Sequence, residues 1–309
     1  MKKTNKLFES ICRKSQKELK KYLTKELANK GYTPISGDGY IYAKGTFPVM
    51  LVAHMDTVHK ELVKQIVYSS NNNIISSPQG IGGDDRAGIY MILKIIEQHK
   101  CTVLFVEDEE IGCVGSRKFA KTDLCKGIKD INYIIELDRM GQNDAVFYEC
   151  DNPEFEDFIL KDKAWQLNYG TYTDIVELAP VIGVAAVNFS CGYYNPHTTR
   201  EYVKLDEMED NIVYIGKLLD RTTENDKFEY IEKVWVNSHG WSGYSYNWKD
   251  DETEIYDGTY YICAFDKQGK MIEDELCAYS MAEAVGQFLV DHPNLCYNDI
   301  VDILNEDEC

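Results

Sequence analysis

A chain of 309 residues with 44% hydrophobic content can bury a substantial core, so the length fits one large domain or two modest ones and argues against disorder. The formal charge of −19 argues against nucleic acid as a partner, because a phosphate backbone needs a basic footprint. No run approaches the roughly 18 consecutive apolar residues of a membrane span, and Met1 to Lys6 leads into Leu7-Phe8-Glu9-Ser10 rather than an apolar leader, so a cytoplasmic protein without membrane contact is expected.

Ser15-Gln16-Lys17-Glu18 reads as a capping box, followed by Leu19, Tyr22, Leu23 and Leu27 at helical spacing and a stop at Gly31. Tyr40–Ala43 and Val49–Ala53 read as strands, the second an unbroken apolar run suited to a sheet covered on both faces. Ala87–Gln98 carries a broad apolar face and predicts a helix. Thr102–Val106, Ile131–Leu137 and Val181–Phe189 predict further strands, and a last helix of this part runs from Asp206 to Leu219. The alternation predicts an α/β fold with a mostly parallel sheet.

Beyond the polar run Arg221–Lys227 the grammar changes. Residues 226–309 hold 19 Asp/Glu against 5 Lys/Arg, a net of −14 that leaves only −5 for the rest. Tyr260–Phe265, a turn at 266–270 and Met271–Ala278 predict a hairpin, and Ser280-Met281-Ala282-Glu283 caps a helix to Val290. The expected organisation is therefore a domain over 1–224 and an acidic, small α+β module over 225–309. Trp235, Trp241 and Trp248, interleaved with Tyr244 and Tyr246, read as packing between domains or as a sugar- or peptide-binding platform. The ten cysteines are scattered singly with no C-x-x-C pair, which fits reduced thiols.

Five clusters fall where a strand ends or a helix begins, the position at which open α/β sheets place ligands. They are Ala53-His54-Met55-Asp56-Thr57, Gly82-Gly83-Asp84-Asp85-Arg86, Glu107-Asp108-Glu109-Glu110-Ile111-Gly112, Glu136-Leu137-Asp138-Arg139-Met140-Gly141 and Asn195-Pro196-His197-Thr198-Thr199-Arg200-Glu201. The glycine-rich turn at Asp84-Asp85 is no phosphate loop, since paired carboxylates repel anions and attract cations. Two histidines with several carboxylates form a nitrogen and oxygen set suited to two divalent ions, with zinc favoured and cobalt or manganese as substitutes.

In this order the clusters resemble the co-catalytic zinc peptidases that include peptidase T, carboxypeptidase G, acetylornithine deacetylase and the zinc aminopeptidases, over roughly residues 15–220. The resemblance implies a three-layer αβα domain and gives His54 and Asp138 to one ion, Glu110 and His197 to the other, and Asp84 to both. It makes Asp56 the residue that orients His54 and Glu109 the general base, which takes a proton from the attacking water and hands it to the leaving amine. Asp174, in Thr173-Asp174-Ile175, and Glu201 match supporting positions. Only 58 residues separate Asp138 from His197, too few for the lid domain of larger relatives in addition to the main fold. With the lid absent, Tyr193, Tyr194 and Asn195 become candidates for contacting an oxyanion or substrate.

The expected function is hydrolysis of an amide bond in small peptides or N-acyl amino acids, leaning towards aminopeptidase-like substrates. Two alternatives stay open: a catalytically retired metal-binding scaffold whose acidic module binds a partner, and a single-metal acyltransferase of the same fold. Spacing alone assigns no residue to a substrate carboxylate or amine, and oligomeric state is open.

Overall fold

The computed structural model describes residues 3–161, 164–170, 172–233, 258–265, 270–278 and 300–305, together with Phe288, His292 and Leu295. The chain divides into two compact units, residues 1–235 and 236–309.

The first unit opens with α1 (Lys3–Cys12) and α2 (Gln16–Asn29). Ser15 caps α2 in a complete capping box with Glu18, and Leu19, Leu23 and Leu27 form its buried stripe. The elements β1 (Ile35–Gly37), β2 (Tyr40–Ala43), β3 (Phe47–His54), β4 (Val67–Tyr68), β5 (Ile74–Ser76), α3 (Gly83–Ile95) and β6 (Cys101–Val106) follow. Next come α4 (Val114–Ala120), α5 (Asp123–Lys126), β7 (Tyr133–Arg139), β8 (Asp144–Val146), α6 (Pro153–Leu160), β9 (Gln166–Leu167) and α7 (Asp174–Ile182). The unit ends with β10 (Ala186–Ser190), β11 (Tyr193–Tyr194), β12 (Tyr202–Lys204) and α8 (Leu205–Arg221).

Eight strands form one sheet in the order β1-β2-β6-β3-β7-β10-β8-β9, and the central run β6-β3-β7-β10 is parallel throughout. Because side chains alternate across a strand, each central strand feeds two cores. Val49, Leu51, Ala53, Val103, Phe105, Ile135 and Leu137 join one core with α1, α2, α3 and α8. Met50, Val52, Leu104, Val106 and Ile134 join the other with Phe119, Cys125, Ile175 and Leu178 from α4, α5 and α7. This is the three-layer αβα arrangement, and both covered faces explain why β3 and β6 read as unbroken apolar runs.

A small sheet, β11-β12-β5-β4, stands beside the main one. The stretch between Asp138 and His197 is taken up by β8, α6, β9, α7, β10 and β11, and its described residues leave no separate lid. The run Val181–Phe189, expected as one strand, divides: Val181 and Ile182 end α7, Gly183 at φ +81° stops the helix, and the strand begins at Ala186. Apolar continuity hid that boundary, since a buried helix end and a buried strand are alike in composition. The change of composition near 224/225 precedes the division between units because Phe228 still packs against Tyr133, Phe155 and Phe158 of the first unit.

In the second unit β13 (Gly258–Phe265), β14 (Met271–Ala278) and β15 (Ile300–Asn305) form an antiparallel sheet in the order β14-β13-β15. The hairpin strands expected from sequence are there, with β15 added. Residues 266–269 and Trp235, Trp241 and Trp248 lie outside the described residues, and of the expected helix 280–290 only Phe288 is described. No helix among the described residues is long and apolar enough to cross a membrane. Cys12, Cys101, Cys113, Cys125, Cys150 and Cys191 are buried free thiols.

Candidate metal centre

The parallel strands deliver polar side chains at their carboxyl ends. His54 ends β3, Glu109 and Glu110 follow β6, Asp138 lies near the end of β7, and Asp84 starts α3. His197 comes from the loop joining β11 to β12.

These side chains converge. Asp84 lies between the two histidines, with Oδ1 3.0 Å from His54 Nε2 and Oδ2 3.2 Å from His197 Nε2. His54 Nε2 is also 3.5 Å from Asp138 Oδ1, and His197 Nε2 is 3.0 Å from Glu110 Oε2. Donor atoms of His54, Asp84 and Glu110 all lie within 4.8 Å of one another. Asp56 Oδ1 faces the other nitrogen of His54, Nδ1, at 3.2 Å. Glu109 sits beside this group, its Oε1 accepting a contact from the Cys113 thiol at 3.4 Å.

Several carboxylates serve the backbone. Asp56 accepts from the amides of Glu109 and Glu110 at 3.0 and 3.1 Å, tying the end of β3 to the end of β6. Glu201, fully buried, accepts from the amides of Gly82 at 2.8 Å and Asp84 at 2.9 Å, and meets His59 Nε2 at 2.8 Å. Asp85 accepts from the amides of Gly88 and His54 at 2.9 and 3.2 Å. Gly88 must lack a side chain here, because a Cβ would lie 1.8 Å from the Leu137 carbonyl oxygen and 2.5 Å from the Asp85 carboxylate. Four non-glycine residues with positive φ, Asp108, Cys113, Asn195 and His197, lie in the loops around the centre, where strained backbone tends to collect.

The model of peptidase family M28 matches residues 39–174, which carry four of the five clusters. No curated protein sequence matches the chain. Among solved structures, it is similar to the aminopeptidase PepT of Bacillus cereus, with 14% identity, 70% of this chain and 97% of that one covered, and a TM-score of 0.56. It is also similar to a tripeptidase of Staphylococcus aureus, with 12% identity, coverage of 70% and 96%, and a TM-score of 0.54. A Zn-dependent exopeptidase of Parabacteroides distasonis shares 14% identity over 69% and 94% of the chains, with a TM-score of 0.50. The family model thus covers less than half of the chain, and the solved structures, at 12–14% identity, show that the first unit shares the fold of these peptidases.

The electrostatics of these groups fit a cation. Glu110 Oε1 is buried with no hydrogen-bond partner among the described residues. Burial pushes Asp138 up to about 7 and Glu109 up to about 9, with neighbouring carboxylates adding to both, so negative charge is crowded here beyond what the histidines offset. Burial opposes a charged His54, but Asp138, Asp56 and Asp84 outweigh it and raise its pKa. Hydrogen bonds to Asp84 and Glu110 raise His197 to about 11. The carboxylates that favour imidazolium here would equally favour a metal cation.

The oxyanion candidates part ways. Tyr193 is buried and its hydroxyl donates to Asp138 Oδ1 at 3.4 Å, facing the centre. Tyr194 instead donates to Glu207 and stacks on Tyr202, and Asn195 is exposed with its carbonyl accepting from Thr198. Asp174 is buried near Ser116 and Cys113, and among the described residues Glu136 keeps one buried oxygen without a partner while the other accepts from Thr173 at 2.8 Å. Sequence reasoning missed Asp85, Glu136 and His59. Asp85 and Glu136 each stand within two residues of an assigned ligand, whereas His59 carries no spacing signal.

Proposed function

We propose that this chain is a zinc metallopeptidase that cleaves the amide bond next to the N-terminal residue of small peptides, or that of N-acyl amino acids. Two divalent ions would be held by His54, Asp84, Glu110, Asp138 and His197, with Glu109 as general base. The observation that carries the reading is Asp84, whose two oxygens face a different imidazole each, the arrangement expected of a carboxylate shared by two ions. The mixed nitrogen and oxygen donors suit zinc, and magnesium normally avoids imidazole. The likeness to an aminopeptidase, a tripeptidase and an exopeptidase supports short peptides as substrates.

When bound, the ions supply Lewis acidity that polarises a carbonyl and acidifies water. The chain supplies the rest. Asp56 accepts from His54 Nδ1, which fixes the tautomer and leaves Nε2 free to ligate. Glu109 takes a proton as water adds to the scissile carbonyl carbon, then returns it to the amine as the C–N bond breaks. The Tyr193 hydroxyl is the nearest candidate donor to the developing oxyanion.

Glu109→Gln tests the assignment. The variant is expected to retain two zinc ions per chain by elemental analysis and to lose about 10²–10⁴-fold in kcat on aminoacyl fluorogenic amides and N-acetyl amino acids. Undiminished turnover removes Glu109 as base, and a single zinc in the wild-type protein overturns the two-ion reading.

A further inference from the structure

Five of the six cysteines among the described residues pack into the apolar cores, Cys12, Cys101, Cys150 and Cys191 into one and Cys125 into the other. Cys113 is as deeply buried and joins neither core. Its neighbours are carboxylates instead. The thiol sulfur lies 3.4 Å from Glu109 Oε1, a hydrogen-bond distance for sulfur, and Asp174 and Glu136 are close enough to act on it as well.

The backbone fixes where this thiol points. Cys113 precedes α4 at φ +51°, a conformation that glycine adopts without cost and other residues hold only where the surrounding structure imposes it. Its amide donates to the Glu109 carbonyl at 2.8 Å, and its own carbonyl accepts from the Ser116 hydroxyl at 2.9 Å and the Arg117 amide at 3.0 Å. Main chain and side chain of Cys113 therefore both return to Glu109. Glycine would serve the turn better, so a cysteine here argues for what its side chain does.

The Glu109 carboxylate needs a tether. Asp138, Asp174 and Glu110 crowd it with like charge, and the thiol is its one hydrogen-bond donor among the described residues. Burial, followed by Asp174, Glu109 and Glu136, pushes the thiol pKa up, so at neutral pH the sulfur carries its proton and is a donor rather than one more anion.

Resting on the assignment of Glu109 as general base, we infer that Cys113 is a positioning residue for it, its thiol donating to Oε1 and so leaving Oε2 to take the proton of the attacking water. A hydroxyl at this position can replace the thiol, and a methyl group cannot.

Kinetics on zinc-loaded protein with aminoacyl fluorogenic amides test the role. Cys113→Ala is expected to keep two zinc ions per chain and a KM within twofold of wild type while kcat falls about 10–100-fold, the cost of a misplaced catalytic group. Cys113→Ser is expected to return kcat to within threefold of wild type. Because the effect passes through Glu109, adding Cys113→Ala to Glu109→Gln is expected to change the residual rate less than twofold. An unchanged kcat in Cys113→Ala overturns the inference, as does an equal loss in both backgrounds, which marks a merely structural role. Infrared spectroscopy reads the bond without turnover. The S–H stretching band of Cys113, isolated by subtracting the spectrum of Cys113→Ser, is expected below those of the core thiols and is expected to rise in Glu109→Ala. A band that stays in place removes the bond, whatever the kinetics. A band that follows Glu109 in a protein that cleaves no amide counts against the hydrolase reading and leaves the pairing standing, and turnover with a stationary band does the reverse.

Discussion

Replacing Glu201 probes how the centre is held without touching a proposed ligand. Its carboxylate accepts from the amides of Gly82 and Asp84 and meets His59, at 2.8 to 2.9 Å, with no exposure to solvent. Glu201→Ala leaves two buried N–H groups unpartnered at about 1–3 kcal/mol each and strands His59. Against this, burial already penalises the ionised carboxylate and raises its pKa, so removing the charge recovers part of the loss. A net destabilisation of about 3–5 kcal/mol follows for Ala, of the size measured when one partner of a buried pair is removed. Glu201→Gln keeps one acceptor and is expected to cost about 1.5–3 kcal/mol. Because Asp84 hangs from one of the lost bonds, zinc affinity should also fall about 10–100-fold. Urea unfolding of the metal-free protein reads the first effect, and competition with a chromogenic chelator reads the second. If Glu201→Ala unfolds within about 0.5 kcal/mol of wild type and binds zinc unchanged, Glu201 is not the brace described here.

Two further outcomes concern the metal. Zinc at about 100 times its Kd stabilises the folded state by about 2.7 kcal/mol per site, which for a unit of this size raises Tm by roughly 5–11 °C in a calorimetric scan; an unmoved transition refutes binding at the folded centre. Zinc binding should also release protons. His197, raised to about 11, and His54, raised as well, are protonated at neutral pH without metal, and ligation needs neutral imidazole. Their contribution to the metal-free fold is complete below the unfolded value near 6.5 and is lost as pH rises through the folded values, so apparent zinc affinity climbs with pH. Titration in buffers of different ionisation enthalpy should give at least two protons per chain, since Glu109 and Asp138, raised to about 9 and about 7, add to the imidazoles, and a buffer-independent enthalpy contradicts the assignment.

What the sequence made legible follows from how strongly each feature is forced by local chemistry. The capping box at Ser15 and the buried run before His54 are local statements, and α2 and β3 occur where expected. Asp84, Glu110 and Asp138 were legible because an acid directly after a buried strand or at a helix start needs compensating charge. α1 was not read as a helix, since Phe8 and Ile11 face the core from a segment otherwise polar. His59 was invisible, because its role depends on Glu201, 142 positions away, which no periodicity connects. The direction of Tyr194 is likewise set by Glu207 and Tyr202, tertiary neighbours that spacing to His197 does not report.

The bracing bonds also bear on how far folding alone prepares the centre for its ions. Asp56 joins the ends of β3 and β6, Asp85 joins α3 to β3, and Glu201 joins the His197 loop to the start of α3. Asn188 completes the set, accepting from the Asp138 amide at 2.9 Å and donating to its carbonyl at 3.1 Å. His54, Asp84, Glu110 and Asp138 thus ride on backbone fixed by a side chain that is not itself a proposed ligand, so these donor positions are organised by folding, whereas His197 stands on an exposed loop. Asp84, Glu110, Asp138 and Glu109 face the space between the histidines, where burial and mutual repulsion raise Asp138 to about 7 and Glu109 to about 9. A divalent cation would lower both values, and each further ion would relieve more of the repulsion, so Glu109 is expected to be ionised as a base only in the loaded centre.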